Sequence, residues 1–168
     1  MQDDFVEAII ALLPNLQRYA LSLCRSTDLA EDLVQLAVEK AFRSRNTYDA
    51  AQRLDVWLLR IVRNTWIDET RRTKTRGVEI DIHENPDVLH APASHTAEER
   101  MELNAALAAI YALPDAQRDV MILVCVEELT YREAAEVLDV PVGTVMSRLA
   151  RARRALAENL GIEKTGNT

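Results

Sequence analysis

The sequence predicts an all-α protein made of two small helical domains joined by a flexible linker, and three observations support this fold class. The 168 residues include only four glycines and five prolines, and such a composition favours helix. Apolar residues recur at helical spacing in two long stretches. A polar segment without periodicity separates these stretches. We therefore expect domains at residues 1–76 and 97–168 and a linker at residues 77–96.

The first domain is expected to be a bundle of three helices. Its apolar stripes run over residues 5–23, 29–41 and 54–66. Pro14 lies inside the first stripe and is a candidate position for a kink. Asp28 is the predicted N-cap of the second helix. Three helices in about 75 residues can bury a modest hydrophobic core.

Four further side chains are assigned to the core. Trp57 and Trp66 match the third apolar stripe, while Cys24 and Cys125 lie in separate apolar stretches and are predicted to be reduced thiols. Reduced thiols suit the cytosol. No segment approaches the roughly 20 apolar residues of a membrane span, and the N-terminus lacks the pattern of an export signal. We therefore expect a cytoplasmic protein without membrane insertion.

The second domain is expected to begin with a helix at Ala97. Pro114 ends or restarts that helix, because proline lacks the backbone N–H that an inner helical position needs. Asp115 is the predicted cap of the next helix. The domain therefore continues the all-α pattern after the linker.

The C-terminal domain is predicted to contain a helix-turn-helix. Thr130 and Glu133 have the spacing of a capping box, which predicts a short helix over residues 131–138. A turn and a longer helix over residues 142–160 follow. In this motif the second helix enters the DNA major groove with its N-terminal part.

The charge distribution bears on the DNA-binding interpretation. A net charge of −7 argues at first sight against nucleic acid, because phosphates supply most of the sequence-independent attraction. The charge is segmented, however: acids predominate in residues 1–40 and cations in residues 53–76, and residues 141–156 contain four arginines and no acid. The second helix of the motif therefore presents local positive charge.

The predicted second helix has a polar side. Its members are Thr144, Ser147, Arg148, Arg151 and Arg154. Arginine contacts phosphates and reads guanine, and hydroxyl groups donate at shorter range. The alternative is a solvated face whose arginines balance the negative end of the helix dipole.

Two sets of motifs in this sequence resemble the extracytoplasmic-function sigma factors of the sigma-70 family. Residues 113–118, 129–135 and 141–149 resemble region 4 of that family. Residues 30–35 and 57–64, followed by Asp68, Arg71 and Arg72, resemble region 2. Both sets stand in the family's order and together cover nearly the whole chain.

The resemblance implies an RNA polymerase sigma factor that directs core polymerase to specific promoters and assists initiation. Region 2 would recognise and help open the −10 element, and region 4 would read the −35 element. The implied partners are core RNA polymerase, promoter DNA and an anti-sigma factor. Because the polymerase supplies the chemistry, neither a catalytic activity nor a cofactor is expected of this chain.

The resemblance also implies three groups of contact residues. Core polymerase is expected to bind Glu31, Asp32, Leu33 and Gln35. The −10 element is expected to contact Asn46, Thr47, Tyr48, Asp49, Arg60, Arg63, Asn64 and Arg71. The −35 element is expected to contact Arg132, Thr144, Met146, Ser147, Arg148 and Arg151. Met146 and Ala150 depart from the family's common residues, which weakens any transfer of its base preferences.

Two of these interpretations have an alternative, and one further group of residues is considered as a metal site. Tyr48 either stacks on an extruded base or caps the bundle as a half-buried ring. The acids Glu31 and Asp32 either meet a basic helical partner or simply face solvent. Three linker histidines lack the compact spacing of a metal site, namely His83, His90 and His95.

Three rival functions remain. A regulator would bind an operator alone, and the region 2 motifs argue against it. A decoy that binds an anti-sigma protein should lack a DNA-competent helix, and Arg148 and Arg151 argue against that. An enzyme fits worst, because the sequence contains no phosphate-binding loop and no nucleophile grouping.

Overall fold

The computed structural model describes residues 2–78 and 96–162, in which every regular element is helical. The helices are α1 (Gln2–Cys24), α2 (Thr27–Arg43), α3 (Leu54–Thr75), α4 (Ala97–Tyr111), α5 (Asp115–Met121), α6 (Tyr131–Leu138) and α7 (Val142–Asn159). A 3₁₀ turn (Arg45–Thr47) precedes α3, and a π-helical turn (Ile122–Val126) follows α5. The predicted all-α class is confirmed. Most of the predicted linker lies outside the described residues.

Helices α1, α2 and α3 pack on one another and are called the N-terminal bundle. Their apolar stripes face inward, and the largest fully buried side chains at the centre are those of Leu16, Tyr19, Leu58, Leu59 and Val62. Burying one such side chain stabilises the fold by about 1.5–3 kcal/mol relative to exposure. Helix α1 runs without interruption through Pro14, so this proline does not end the helix.

Two predicted helix caps are wrong by one or two positions. The N-cap of α2 is Ser26, whose hydroxyl accepts a hydrogen bond from a backbone N–H at 3.5 Å. Asp28 lies in the first turn instead, where its charge faces the positive end of the helix dipole. Pro114 occupies the N-cap of α5 without a side-chain bond, and Asp115 is the first helical residue. At the start of α2, capping propensity alone does not decide between Ser26 and Asp28, because serine and aspartate cap helices about equally well.

Helices α4 to α7 and the π-helical turn form the C-terminal unit. The predicted capping box is present: the Thr130 hydroxyl accepts from the Glu133 N–H at 3.2 Å, and the Glu133 carboxylate accepts from the Thr130 N–H at 2.8 Å. Helix α6 therefore begins where predicted. A second box, formed by Thr96 and Glu99, starts α4.

The two cysteines differ in exposure, and the assignment of Cys125 to the core is wrong. Cys24 is fully buried, whereas Cys125 is exposed on the π-helical turn because neighbouring apolar side chains such as Leu123 take the inward positions. Burial raises the pKa of the Cys24 thiol to about 12.

This difference predicts selective alkylation. We expect iodoacetamide at about pH 8 to modify Cys125 and to spare Cys24, because the thiolate is the reactive form and a raised pKa keeps Cys24 protonated. Intact-mass spectrometry should find one adduct on the native protein and a second only in urea. Two adducts on the native protein would contradict the burial of Cys24.

The C-terminal unit packs directly against the N-terminal bundle. Helix α6 lies against α3, and both α5 and the π-helical turn lie against α1. In the part of the chain that the structure describes, no helix is both long and apolar enough to cross a membrane. The two units therefore share a contact surface, and its residues bear on the candidate site.

Candidate nucleic-acid interface and the contact between the two units

Helices α6 and α7 have the arrangement of a helix-turn-helix. Val145, Leu149 and Ala152 form the buried face of α7, and Ala134 of α6 is fully buried where the two helices cross. Asp139 ends α6 in the left-handed conformation with φ of 52°, which redirects the chain toward α7. The small and apolar residues beneath α7 therefore orient its other side outward.

The outward side of α7 combines polar and basic residues. Successive helical residues are rotated by about 100°, so Thr144, Arg148 and Arg151 fall on one side of the helix. Arg151 is exposed, Arg148 is half-buried, and among the described residues neither pairs with a carboxylate. The hydroxyl of Ser147 donates to the Thr144 carbonyl at 3.1 Å. Met146 is 53% exposed but lies on a different side of α7.

Arg132 lies apart from the α7 residues. It is exposed on α6 and lines an open cleft together with Glu136, Asp139 and Pro141. A phosphate that approached Arg132 would meet two carboxylates in the same cleft, and their repulsion weakens the contact. Arg132 is therefore a weaker candidate for DNA binding than Arg148.

The loop predicted to capture a −10 base is held by its own hydrogen bonds. The Thr47 hydroxyl donates to a backbone carbonyl at 2.7 Å, and the Tyr48 hydroxyl donates to the Gln52 carbonyl at 2.8 Å. The Asp49 carboxylate accepts from a backbone N–H at 2.9 Å. Asn46 is exposed within the 3₁₀ turn. The loop is therefore preorganised.

Tyr48 belongs to an aromatic cluster at one end of the bundle. Its ring centroid lies 5.0 Å from that of Trp57 and 6.3 Å from that of Phe5, and the Arg45 guanidinium lies over the Phe5 ring at 5.1 Å. Tyr48 is half-buried, which corresponds to the bundle-capping alternative. Trp57 and Trp66 are also half-buried and pack against the core.

Helix α3 presents most of its predicted −10 residues to solvent. Arg60, Asn64 and Arg71 are exposed. Arg63 differs, because it points toward the C-terminal unit and forms an ion pair with Asp119 of α5. One of the predicted DNA-contacting cations is therefore neutralised inside the protein in this arrangement.

The residues of α2 that are predicted to bind core polymerase also divide into exposed residues and one buried residue. Glu31, Asp32 and Gln35 are exposed on the outer face of the helix. Leu33 is only 3% exposed and packs in the bundle core. Its side chain therefore supports the helix from within, and its assignment to a contact surface needs correction.

An ion pair between Arg63 and Asp119 joins the N-terminal bundle to the C-terminal unit. The Tyr19 hydroxyl donates to the Asp119 carboxylate at 3.5 Å. Burial raises the pKa of Asp119, and the positive charge of Arg63 opposes this rise. Burial and the nearby Asp119 raise the pKa of Tyr19 well above its usual value, so Tyr19 remains a protonated donor.

Two further ion pairs cross the same contact. Arg18 of α1 donates to both carboxylate oxygens of Glu127, at 2.7 and 3.0 Å, and Asn15 adds a third hydrogen bond at 3.0 Å. Arg53 pairs with Glu133 at 3.1 Å. The contact is therefore rich in arginine-carboxylate pairs.

Arginine side chains also bond to backbone carbonyls across the contact. Arg118 of α5 donates to the Ser22 carbonyl of α1 at 3.1 Å, and Arg25 donates to the Tyr111 carbonyl at 2.6 Å. Sequence reasoning missed these residues as contacts between the units. The bonded partners are 86 or more positions apart, so no local pattern connects them.

The described surfaces carry cations, amides and hydroxyls, which suit recognition of phosphates and base edges. Within residues 2–78 and 96–162, no cluster of three or more histidine, cysteine or acidic side chains is arranged to hold a metal ion. The three histidines considered for metal binding lie outside these ranges.

Comparison with known proteins connects both units to one family. The sigma-70 region 2 family model matches residues 8–76, and the sigma-70 region 4 family model matches residues 103–156. The ECF RNA polymerase sigma factor EcfG of Rhodopseudomonas palustris (strain TIE-1) is 31% identical over 163 residues, which cover 97% of this chain and 88% of that protein. The ECF sigma factor SigW of Bacillus subtilis (strain 168) is 29% identical over 168 residues, covering 95% and 90%.

Solved structures agree with the sequence relatives. The sigma factor RpoE in complex with the anti-sigma factor NepR from Bartonella quintana is 30% identical with a TM-score of 0.76, and the match covers 96% of this chain and 99% of that one. CnrH in complex with the cytosolic domain of CnrY shares the fold at a TM-score of 0.68, with 22% identity and coverage of 98% and 92%. The chain thus belongs to the extracytoplasmic-function (ECF) RNA polymerase sigma factors of the sigma-70 family.

Proposed function

We propose a division of labour in which residues 1–76 bind core polymerase and the −10 element while residues 97–168 bind the −35 element. The helix-turn-helix carries the proposal, because α7 turns Arg148 and Arg151 outward without a carboxylate partner among the described residues. The exposed Arg60 and Asn64 of α3 supply a second polar surface on the N-terminal bundle. Together the two surfaces suit a protein that reads two promoter elements.

The proposed surface for core polymerase is the outer face of α2. Glu31, Asp32 and Gln35 are exposed on consecutive turns of that helix, and an acidic and polar face suits a basic partner. Leu33 acts from within the bundle as a support. Because the polymerase supplies the chemistry, the chain itself acts as a non-catalytic specificity factor, and its place of action is the cytoplasm.

An anti-sigma factor is the proposed regulatory partner. The proposal rests on the structural relative from Bartonella quintana, which was solved in complex with such a factor and matches 96% of this chain. A partner of this kind would act by covering the surfaces that bind core polymerase or promoter DNA.

Runoff transcription tests the proposed function directly. Purified core polymerase is combined with a pool of genomic promoters, with and without the protein. We expect discrete new transcripts only when the protein is present, and their upstream sequences should share two elements. If none appear while the protein binds DNA alone, a regulator replaces the sigma assignment. If the protein binds neither core polymerase nor DNA, and no inhibitor has co-purified, the decoy function replaces the sigma assignment.

A further inference from the structure

Met146 is a large apolar side chain on the surface of the helix that we propose to read the −35 element. It is the fifth residue of α7, and 53% of its surface is exposed. The residues that hold α7 against the rest of the C-terminal unit are others: Val145 and Leu149 are 0% and 1% exposed. Packing within the C-terminal unit therefore does not require an apolar residue at position 146.

The neighbours of Met146 on α7 are small or polar. Successive residues are rotated by about 100°, so Gly143 and Ala150 share the side of Met146. Ser147 and Arg151 occupy the adjoining side. Gly143 and Ala150 are exposed, and a Cβ added at Gly143 would meet nothing within 4 Å. A flat partner can therefore approach this side of the helix closely, and Met146 is the side chain that reaches it.

The charge around Met146 indicates the class of that partner. Residues 141–156 contain four arginines and no acid, which favours a polyanion. An apolar protein surface would need a broader apolar patch, and the next exposed large apolar side chain of the chain, Leu160, lies about 21 Å farther along the helix axis. In a helix-turn-helix the N-terminal part of the second helix contacts base edges. The partner of Met146 is therefore a base pair in the major groove.

The chemistry of the side chain selects one feature of that base pair. The thioether sulfur is only a weak hydrogen-bond acceptor and donates nothing, so it cannot read the donors and acceptors of base edges. Methionine is flexible, however, and packs well against apolar groups. In the major groove, thymine alone among the four bases carries a methyl group, on C5. A thymine methyl group is therefore the feature that Met146 fits.

We propose that Met146 is a specificity-determining residue that recognises the 5-methyl group of a thymine in the −35 element. The contact removes apolar surface of both partners from water, and Gly143 and Ala150 let the base edge come close enough. The inference rests on the proposed function, because it names the base feature that the proposed −35 surface reads.

The test replaces single thymines of the −35 element by deoxyuridine, which lacks only the 5-methyl group. The full-length protein is bound to core polymerase, and the probe is a synthetic duplex of a promoter that gave a transcript in the runoff experiment. Each thymine of the −35 element, on either strand, is substituted in turn, and affinity is measured by competition in fluorescence anisotropy. We expect at least one substitution to weaken binding of the wild-type protein about fourfold, as for the loss of one buried methyl group.

Variants of Met146 show whether this residue makes the contact. Met146→Ala should bind the thymine duplex and the deoxyuridine duplex equally well, because the apolar partner of the methyl group is gone. Met146→Leu should keep part of the preference. Alanine and leucine are good helix formers and the position is exposed, so α7 stays folded in both variants. Met101→Ala is the matched control: Met101 is 74% exposed on α4, and its loss should leave the full preference for thymine.

Three results would overturn the inference: no deoxyuridine substitution weakens binding of the wild-type protein, the −35 element consists of G·C pairs only, or Met146→Ala keeps the wild-type preference. Runoff transcription with the wild-type protein separates these results from failure of the proposed function. Transcripts from promoters without such a methyl contact would reject only the role of Met146. Absent transcripts would reject the sigma assignment and this inference with it.

Discussion

Replacing Arg118 with alanine is expected to lower the free energy of unfolding by about 3 kcal/mol. The Arg118 side chain is only 5% exposed and donates to three backbone carbonyls, those of Ser22, Tyr111 and Leu113. Alanine would leave the Ser22 and Leu113 carbonyls without this donor in a buried place, whereas the Tyr111 carbonyl keeps its hydrogen bond from Arg25. Each unsatisfied buried group costs about 1–3 kcal/mol. Because one acceptor belongs to α1, the variant should also loosen the contact between the two units.

Urea denaturation followed by circular dichroism measures this loss. Arg153→Ala is the matched control, since Arg153 is exposed on α7 and its removal should change stability by less than about 0.5 kcal/mol. Arg118→Lys should recover little, because a single ammonium group cannot reproduce the planar fork of arginine. Equal stability of Arg118→Ala and Arg153→Ala would show that the buried hydrogen bonds do not hold the fold.

Arg148→Ala is expected to reduce promoter-dependent transcription by about tenfold to a hundredfold without weakening the binding of core polymerase. The outward side of α7 carries Arg148, and one good base contact by arginine is worth about 1–3 kcal/mol of discrimination. Runoff transcription and affinity for core polymerase are measured on the same preparation. Arg153→Ala serves again as the control, because it removes the same charge from another side of α7. Unchanged promoter activity in Arg148→Ala would mean that the recognition face is wrongly assigned.

Asp32→Ala should have the opposite effect. Asp32 is exposed on α2, in the surface proposed to bind core polymerase, so we expect its loss to weaken that binding by about 1 kcal/mol or more. Because Asp32 is not part of α7, the affinity for a −35 duplex should stay unchanged. Glu7→Ala removes an acid that is also exposed, from α1, and should leave core binding intact. If the two variants bind core polymerase equally well, the outer face of α2 is not the contact surface.

Local sequence signals predicted the elements whose ends are decided locally. The capping box of Thr130 and Glu133 placed the start of α6, because both hydrogen bonds lie within four residues. The Ser26 cap of α2 was missed, because Asp28 has an equal capping preference and only the packing of the helix decides between them. Cys125 was misplaced for a related reason: an apolar stretch of helix still has one side that faces solvent.

The sequence by itself determined the helical class, the helix-turn-helix and the family, since these depend on periodicity, caps and motifs that are read along the chain. Only the tertiary structure decided which arginine side chains remain exposed and able to contact DNA. Arg63 and Arg60 are three positions apart on one helix, yet Arg63 is paired with Asp119 and Arg60 is exposed. The physical reason is that electrostatic energy depends on distance in space and on burial, and Asp119 lies 56 positions away in sequence.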